Sequence, residues 1–273
     1  MKTQVIVFPF DLFGSGGSAE GSLLLADGIR EILRDTRKET AQTRAEAFVD
    51  NVRIREASFD TLAALSAWRR RGRLWARKVL REGDFLLWLG GNHLSALPVY
   101  DELAGKEGTL VVQLDAHLDI HHFHDTTSEL SHGNFLLHAR KPLPDLVNVG
   151  HRDLLITNET IATTFRHTVS AIDLAVNPTA ALEKLGALAS SASQVFIDID
   201  CDVFDPAFFP AVTQPTPFGL SPPLVLAVLD AVWSSNVRGL ILSEFEPGRD
   251  TSDRSLSILL WLIEHLLLRC HEH

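Results

Sequence analysis

Residues 194–206 read QVFIDIDCDVFDP, a short apolar run that ends in a cluster of aspartates. The apolar part predicts a buried β-strand, because continuous apolar strands are typical of parallel sheets covered on both faces. Two similar runs lie upstream: residues 85–89 precede GGNH at 90–93, and residues 109–114 precede DAHLD at 115–119. Reactive groups gather at the carboxyl ends of parallel strands, so the three polar clusters are expected to meet at one edge of a sheet.

Apolar runs alternate with helical patterns along the rest of the chain. Further strands are predicted over residues 4–9, 52–56, 146–149, 194–199 and 240–242, and helices over residues 23–34, 59–81, 178–190, 222–234 and 253–269. Strands separated by helices imply an α/β fold with three layers, α/β/α, around a central, mainly parallel sheet. No internal repeat or low-complexity linker divides the sequence, so we predict a single domain over residues 1–273.

Composition excludes several classes of protein. The chain is 45% hydrophobic and 22% charged, which is ordinary for a globular domain. Its formal net charge of −10 argues against a nucleic-acid partner. No apolar stretch reaches the roughly 18 uninterrupted residues of a membrane span, so no membrane partner is expected. Two distant cysteines, Cys201 and Cys270, form no disulfide framework and, without a secretory-signal pattern, indicate a cytoplasmic protein.

The three polar clusters together contain a metal-ligand set. Alternate residues of an extended segment point the same way, so the side chains of each cluster can converge on one spot. Four carboxylates and two imidazoles exceed what one ion needs, and a mixed O/N set without thiolate favours Mn²⁺ or a similar ion. Two such ions, about 3.5–4 Å apart, activate water. The candidate ligands are His93, Asp115, His117, Asp119, Asp200 and Asp202.

The motifs GGNH, DAHLD, SHG, DIDCDVFDPAFFP and SEFEP, spread over residues 90–247, resemble those of the ureohydrolase (arginase/agmatinase) family. The resemblance implies an arginase-like fold, two Mn²⁺ ions per chain, hydrolysis of a guanidino group with release of urea, and a homo-oligomer. It makes Asp115 and Asp200 bridging carboxylates. The other four ligands divide between the two ions as His93 with Asp119 and His117 with Asp202.

Two further residues carry over from the resemblance. His132, in the SHG motif, matches a histidine that orients substrate and shuttles a proton, and its imidazole titrates near neutral pH. Glu244, in SEFEP, matches a carboxylate that grips the guanidinium, whose paired N–H donors suit it. With Asp119 they are the predicted catalytic residues, and the first two are the predicted substrate-binding residues. The simpler interpretations are that His132 is an ordinary histidine at the start of a helix and that Glu244 is a surface acid at the end of a strand.

The sequence also departs from the family pattern. Asn92 stands where Asp is usual, Asp198 where Ser is common, and residues 211–215 read AVTQP where the family has a glycine-containing loop. Residues 154–158, LLITN, lie where arginases that bind free arginine carry acids for its α-amino group. The guanidinium end of the pocket is therefore expected to be kept and the amino-acid end changed. The roles of Asp198 and of three nearby histidines stay open; the histidines are His121, His122 and His124.

These departures favour one substrate hypothesis and leave others standing. The preferred hypothesis is a peptide arginase, which converts arginine to ornithine within a peptide. Free arginine, agmatine and other guanidino acids are the alternatives of the same class. A metal-dependent deacetylase shares the broad fold but normally holds one zinc, so counting bound metal separates it. A non-enzymatic binding homologue would be expected to have lost ligands, and all six are present.

Overall fold

The centre of the fold is an eight-stranded sheet. It is seen in a computed structural model that describes residues 1–14, 16–122, 124 and 127–272. The strands lie in the order β2-β1-β3-β8-β7-β4-β5-β6, and every pairing among the described residues is parallel. Their bounds are β1 Thr3–Phe8, β2 Val52–Glu56, β3 Phe85–Gly90, β4 Thr109–Leu114, β5 Asp145–Val149, β6 His167–Val169, β7 Gln194–Asp200 and β8 Val237–Ser243.

Helices connect consecutive strands. Their bounds are α1 Ser18–Lys38, α2 Glu46–Val49, α3 Leu62–Ser66, α4 Trp68–Glu82, α5 Leu97–Leu103, α6 Phe135–His138, α7 Asn158–Ala162, α8 Ala171–Val176, α9 Pro178–Ser191, α10 Pro222–Val232 and α11 Arg254–His271. No helix in the described part of the chain is both long enough and apolar enough to cross a bilayer.

Two apolar cores cover the two faces of the sheet. In β1, Val5 and Val7 belong to one core, while Ile6 and Phe8 belong to the other, as the alternation of side chains along a strand requires. Helices α1, α9, α10 and α11 contribute to the first core, and α4 and α5 to the second. Each fully buried aliphatic side chain contributes roughly 1.5–3 kcal/mol relative to exposure. The predicted three-layer α/β/α architecture is confirmed.

The differences from the predicted elements are local. All the predicted strands are present, but β6 was not predicted, because two of its three residues, His167 and Thr168, are polar and give no apolar run. The predicted helix over residues 59–81 is two helices, α3 and α4. The Thr61 side chain accepts a hydrogen bond from the Ala64 N–H, and this cap begins the first helix at residue 62.

Candidate metal centre and active site

The predicted site residues follow four neighbouring strands in the middle of the sheet, β3, β8, β7 and β4. Because these strands are parallel, their carboxyl ends open on the same edge. A cavity of about 530 Å³ lies at this edge. The predicted residues that line it are His93, His117, Asp119, His132, Asp200, Asp202 and Glu244.

Tight turns, rather than extended strand, bring the carboxylates together. An oxygen of Asp115 accepts the N–H of His117 at 2.6 Å, and an oxygen of Asp200 accepts the N–H of Asp202 at 2.9 Å. Asp119 has a left-handed backbone, with φ of 50°. The expectation that strand alternation aligns these residues is therefore wrong, because the chain curls around each carboxylate as soon as the strand ends.

His93 points one ring nitrogen at three buried carboxylates. Its Nδ1 lies 2.8 Å from Asp119 Oδ2, 3.1 Å from Asp200 Oδ2 and 3.4 Å from Asp115 Oδ2. Its Nε2 donates to Asp198 Oδ2 at 2.9 Å. Neither His93 Nδ1 nor Asp119 Oδ2 has a hydrogen-bond partner among the described residues. A lone pair facing carboxylate oxygens is repelled unless a cation lies between them, so the arrangement suits a metal ion or a proton.

A second group lies beside the first. His117 Nδ1 is 2.9 Å from Asp202 Oδ2 and 3.8 Å from Asp115 Oδ1. Ligand atoms of Asp115, His117 and Asp202 lie within 4.8 Å of one another, and so do those of a set formed by His93, Asp115 and Asp200. Asp115 belongs to both sets, as the predicted bridge should. Asp200 belongs to the first set alone.

Charge crowding shifts the pKa values of this centre. Burial, followed by the charge of Asp119, raises the pKa of Asp115 to about 7. Burial alone would lower the pKa of His117, but its pairing with Asp202 outweighs burial and raises that pKa to about 10. For Asp202 the same pairing outweighs burial and lowers the pKa to about 2. The metal-free centre therefore holds protons that an incoming ion must displace.

Metal binding is accordingly expected to release protons, and Mn²⁺ affinity is expected to rise with pH through the pKa of Asp115 at about 7 and on towards that of His117 at about 10. The sign follows from the raised pKa values: Asp115 and His117 keep protons at a pH where unperturbed groups would have lost them. Calorimetric titration in two buffers of different ionisation enthalpy measures the number released. His117→Asn should release fewer protons. Heats that do not depend on the buffer would contradict this expectation.

His132 and Glu244 form a pair above the metal-ligand groups. His132 Nδ1 donates to Glu244 Oε1 at 3.1 Å, and the same oxygen accepts the backbone N–H of His93 at 2.9 Å. Burial lowers the pKa of His132, but the hydrogen bond and charge of Glu244 outweigh it and raise the pKa. A Cβ at Gly14 would lie 2.5 Å from the ring of His132, so only glycine allows this close approach.

The family model of the Arginase family matches residues 1–268. The chain belongs to the Arginase family. The eight-stranded parallel sheet matches the fold of a solved arginase from Bacillus subtilis, as the resemblance of the motifs predicted.

Among relatives in the Arginase family, an agmatinase from Serratia proteamaculans (strain 568) is 29% identical over 184 residues, covering 65% of this chain and 57% of that protein. "Arginase 1, mitochondrial" from Oryza sativa subsp. indica is 33% identical over 190 residues, covering 64% and 53%. The match thus spans little more than half the length of these relatives. A formimidoylglutamase structure from Bacillus subtilis subsp. subtilis str. 168 superposes with a TM-score of 0.79 at 17% identity, over 100% of this chain and 88% of that one.

The apolar run that distinguishes this Arginase-family chain does not line the cavity. Leu154 and Leu155 are 90% and 72% exposed, and neither is among the lining residues, whereas Ile156 packs into the core. The expectation that this run forms the amino-acid end of the pocket is therefore wrong in position. The run follows Asp153, whose carboxylate lies 4.0 Å from the ring of the wall residue His121. Leu154 and Leu155 therefore lie outside the cavity wall.

The three histidines whose roles the sequence left open, His121, His122 and His124, lie in different positions. His121 lines the cavity. The Nδ1 of His122 pairs with the carbonyl of Ile120 at 2.9 Å, and His124 is exposed. Neither of the latter two is among the described residues that line this cavity.

Two contacts around the site involve residues that were not singled out from the sequence: Gln113 contacts a predicted ligand, and Tyr100 contacts Asp198 behind the ligands. The amide nitrogen of Gln113 donates to Asp115 Oδ2 at 3.0 Å, and the hydroxyl of Tyr100 donates to Asp198 Oδ2 at 2.7 Å. Gln113 interrupts an otherwise apolar strand, and this is the signal that could have found it. Tyr100 lies in α5 and gives no such signal. A polar residue inside a fully buried strand needs a specific partner.

Proposed function

We propose that this chain holds two divalent metal ions and hydrolyses a C–N bond of a guanidino group, with release of urea. The observation that carries the proposal is the Nδ1 of His93 aimed at three buried carboxylates in the floor of a cavity. The sharing of Asp115 between two ligand groups supports two ions rather than the single zinc of a deacetylase. Metal counting by elemental analysis of purified protein, with a urea-release assay, tests the proposal.

The residues that would hold the ions are all oxygen or nitrogen donors. Cys201 is buried in an apolar core, so no thiolate enters the site, and this donor set suits manganese better than structural zinc. Bound ions would supply an acidified water molecule. The residues proposed as ligands are His93, Asp115, His117, Asp119, Asp200 and Asp202.

The residues above the ions would handle the substrate. Glu244 places a carboxylate at the cavity, where it can accept N–H groups of a guanidinium cation. Its hydrogen bond orients the His132 imidazole, which can exchange a proton with the departing amine. In the reaction, the oxygen of water bonds to the guanidinium carbon and the carbon–nitrogen bond to the substrate chain breaks. The departing amine takes up a proton, giving an amine and urea.

Apart from the predicted residues and His121, the described residues that line the cavity have no ionisable side chain. No lysine or arginine is among the described residues that line it. Arg152 acts on the centre through its charge, but its guanidinium donates to the backbone carbonyls of Gly150, Asp202, Val203 and Thr216. The remaining wall residues are Phe13, Gly14, Thr127, Ser131, Gly133, Asn134, Val212, Thr213 and Gln214.

This wall supports arginine within a peptide as the substrate, with ornithine as the product. The carboxylates of free arginine or formimidoylglutamate would meet no lysine or arginine among the described wall residues, and a buried unpaired charge costs about 2–3 kcal/mol or more. Peptide bonds on both sides of an arginine remove its α-charges. Agmatine, which has no carboxylate, is the second candidate, and it is favoured by the similarity to an agmatinase.

A blocked arginyl peptide is therefore expected to have a kcat/KM about 100-fold above that of free arginine, the ratio that corresponds to about 3 kcal/mol. The measurement compares the release of urea from the peptide, agmatine and arginine, together with the amine product that each substrate leaves. Glu244→Gln serves as the control, because it should weaken all guanidino substrates alike. Preference for free arginine would contradict the peptide assignment, and preference for agmatine would favour the second candidate.

We further propose that the chain acts as a single catalytic domain, in a cytoplasmic homo-oligomer. The burial of both cysteines as free thiols supports a reducing compartment. The resemblance to ureohydrolases supports the oligomer. Light scattering on the purified protein measures its oligomeric state.

A further inference from the structure

Asp198 is a buried carboxylate that lies behind the cavity floor. It belongs to β7 and is fully buried, and it does not line the cavity. Its Oδ2 accepts two hydrogen bonds, from His93 Nε2 at 2.9 Å and from the hydroxyl of Tyr100 at 2.7 Å. The ring of Phe135 packs against both donors, with centroid distances of 4.9 Å to His93 and 5.4 Å to Tyr100. Among the described residues of the metal centre, His93 is therefore the one that hydrogen-bonds to Asp198.

This contact determines what His93 can do. An acceptor at Nε2 keeps the ring proton on that nitrogen and presents Nδ1 to the carboxylates of Asp115 and Asp200. The negative charge of Asp198 also makes the imidazole a stronger ligand. Because Tyr100 holds the same carboxylate oxygen, the plane of the His93 ring is fixed from behind.

The two candidate metal sites differ in this support. The His93 side chain is 2% exposed and has a carboxylate on its far nitrogen, whereas the His117 side chain is 28% exposed. The first site, formed with His93, is thus the more rigid of the two. A preorganised ligand loses less conformational freedom when the ion binds.

We propose that Asp198, held by Tyr100, is a positioning residue that sets the affinity of the first metal site through His93 and leaves the second site, formed with His117, almost unaffected. The inference rests on the proposed two-metal centre. A merely structural polar pair would instead stabilise the fold without distinguishing the two sites.

The test is a Mn²⁺ titration of the metal-free, full-length protein. Asp198→Asn, which keeps the shape and removes the charge, should weaken the first site by about 10–100-fold. Tyr100→Phe should have a smaller effect in the same direction. Asp101→Asn is the matched control, because Asp101 is a buried carboxylate paired with Arg69 at 2.7 Å and does not contact the centre. It should lower the melting temperature without changing Mn²⁺ affinity.

Single-site backgrounds assign the effect to a site. In His117→Asn, which retains the first site, adding Asp198→Asn should weaken Mn²⁺ binding by the same roughly 10–100-fold. In His93→Asn, which retains the second site, adding Asp198→Asn should change the Mn²⁺ affinity by less than about 3-fold, because the hydrogen bond between His93 and Asp198 is already lost. Equal weakening in both backgrounds, or no weakening in either, overturns the assignment of Asp198.

A spectroscopic readout separates positioning from stability. In Zn²⁺-loaded protein, the His93 Nε2 proton should be visible by NMR and slow to exchange, and Asp198→Ala should abolish that protection. Unchanged protection would overturn the inference. Wild-type protein that binds fewer than two ions would refute the two-metal centre itself, and that outcome is distinct from a failure of the Asp198 variants alone.

Discussion

Alanine in place of Asp115 is expected to abolish binding of both metal ions and to lower kcat/KM by at least about 10⁴-fold, the scale at which a catalytic unit is lost as a whole. Asp115 is the residue shared by the two ligand groups, so its removal opens both at once. Elemental analysis after dialysis against Mn²⁺ measures the loss. Asp153→Asn, a change to an acid outside both groups, should retain two ions.

The melting temperature gives an independent check. Burial and neighbouring acids raise the pKa of Asp115, so removing it relieves repulsion in the metal-free chain, and this gain offsets part of the cost of leaving the N–H donors of Gln113 and His117 without their acceptor. Mn²⁺ should raise the melting temperature of wild-type protein and not that of Asp115→Ala, because only a bound ion stabilises the folded state. Two ions at wild-type affinity in Asp115→Ala would refute the bridging role.

Asp200→Ala separates two versions of the centre. The family resemblance makes Asp200 a second bridge, whereas the structure groups it with His93 and Asp115 alone. Loss of both ions would support a second bridge. Retention of one ion would make Asp200 a ligand of the first site only.

Replacing His132 with asparagine is expected to lower kcat by about 10²–10⁴-fold while metal content is unchanged, the range typical for removal of a general acid or base. Asparagine can still hydrogen-bond to Glu244 but cannot deliver a proton to the departing amine. Steady-state kinetics and elemental analysis on the same preparation measure both quantities. Unchanged turnover across neutral pH would remove His132 from the mechanism.

The pH profile tests the same role with a defined sign. A proton donor must be protonated, so turnover should fall as pH rises through the pKa of His132. Glu244 raises that pKa against the lowering effect of burial, so Glu244→Gln should move the alkaline fall of kcat to lower pH. Glu246→Gln is the control, since its carboxylate pairs with Thr213 and Arg249 rather than with His132. An unmoved alkaline fall in Glu244→Gln would contradict the pairing.

The sheet was predictable because buried parallel strands need continuous apolar residues. β4 begins and ends where the apolar pattern places it. β6 escaped prediction because a three-residue edge strand, paired on one side only, can be largely polar. The local sequence gives no signal for a strand whose formation depends on pairing with β5.

The site was predictable in its residues and not in its geometry. The motifs indicated which side chains meet, but strand alternation was the wrong cause. Asp119 and Glu244 have φ values of 50° and 62°, conformations that cost about 1–3 kcal/mol and that surrounding structure must enforce. Sequence shows neither such strain nor the outward position of Leu154 and Leu155, because both depend on long-range packing.

Ligands and wall come from different parts of this fold, and that division has an evolutionary consequence. The proposed metal ligands follow the strands closely, while His132 and the wall residues Thr127, Ser131, Thr213 and Gln214 lie farther along the connecting segments. Connecting segments tolerate substitution and insertion better than the elements they join. Substitutions that change the guanidino substrate are therefore expected in these segments, whereas the strand ends must keep the residues proposed as metal ligands.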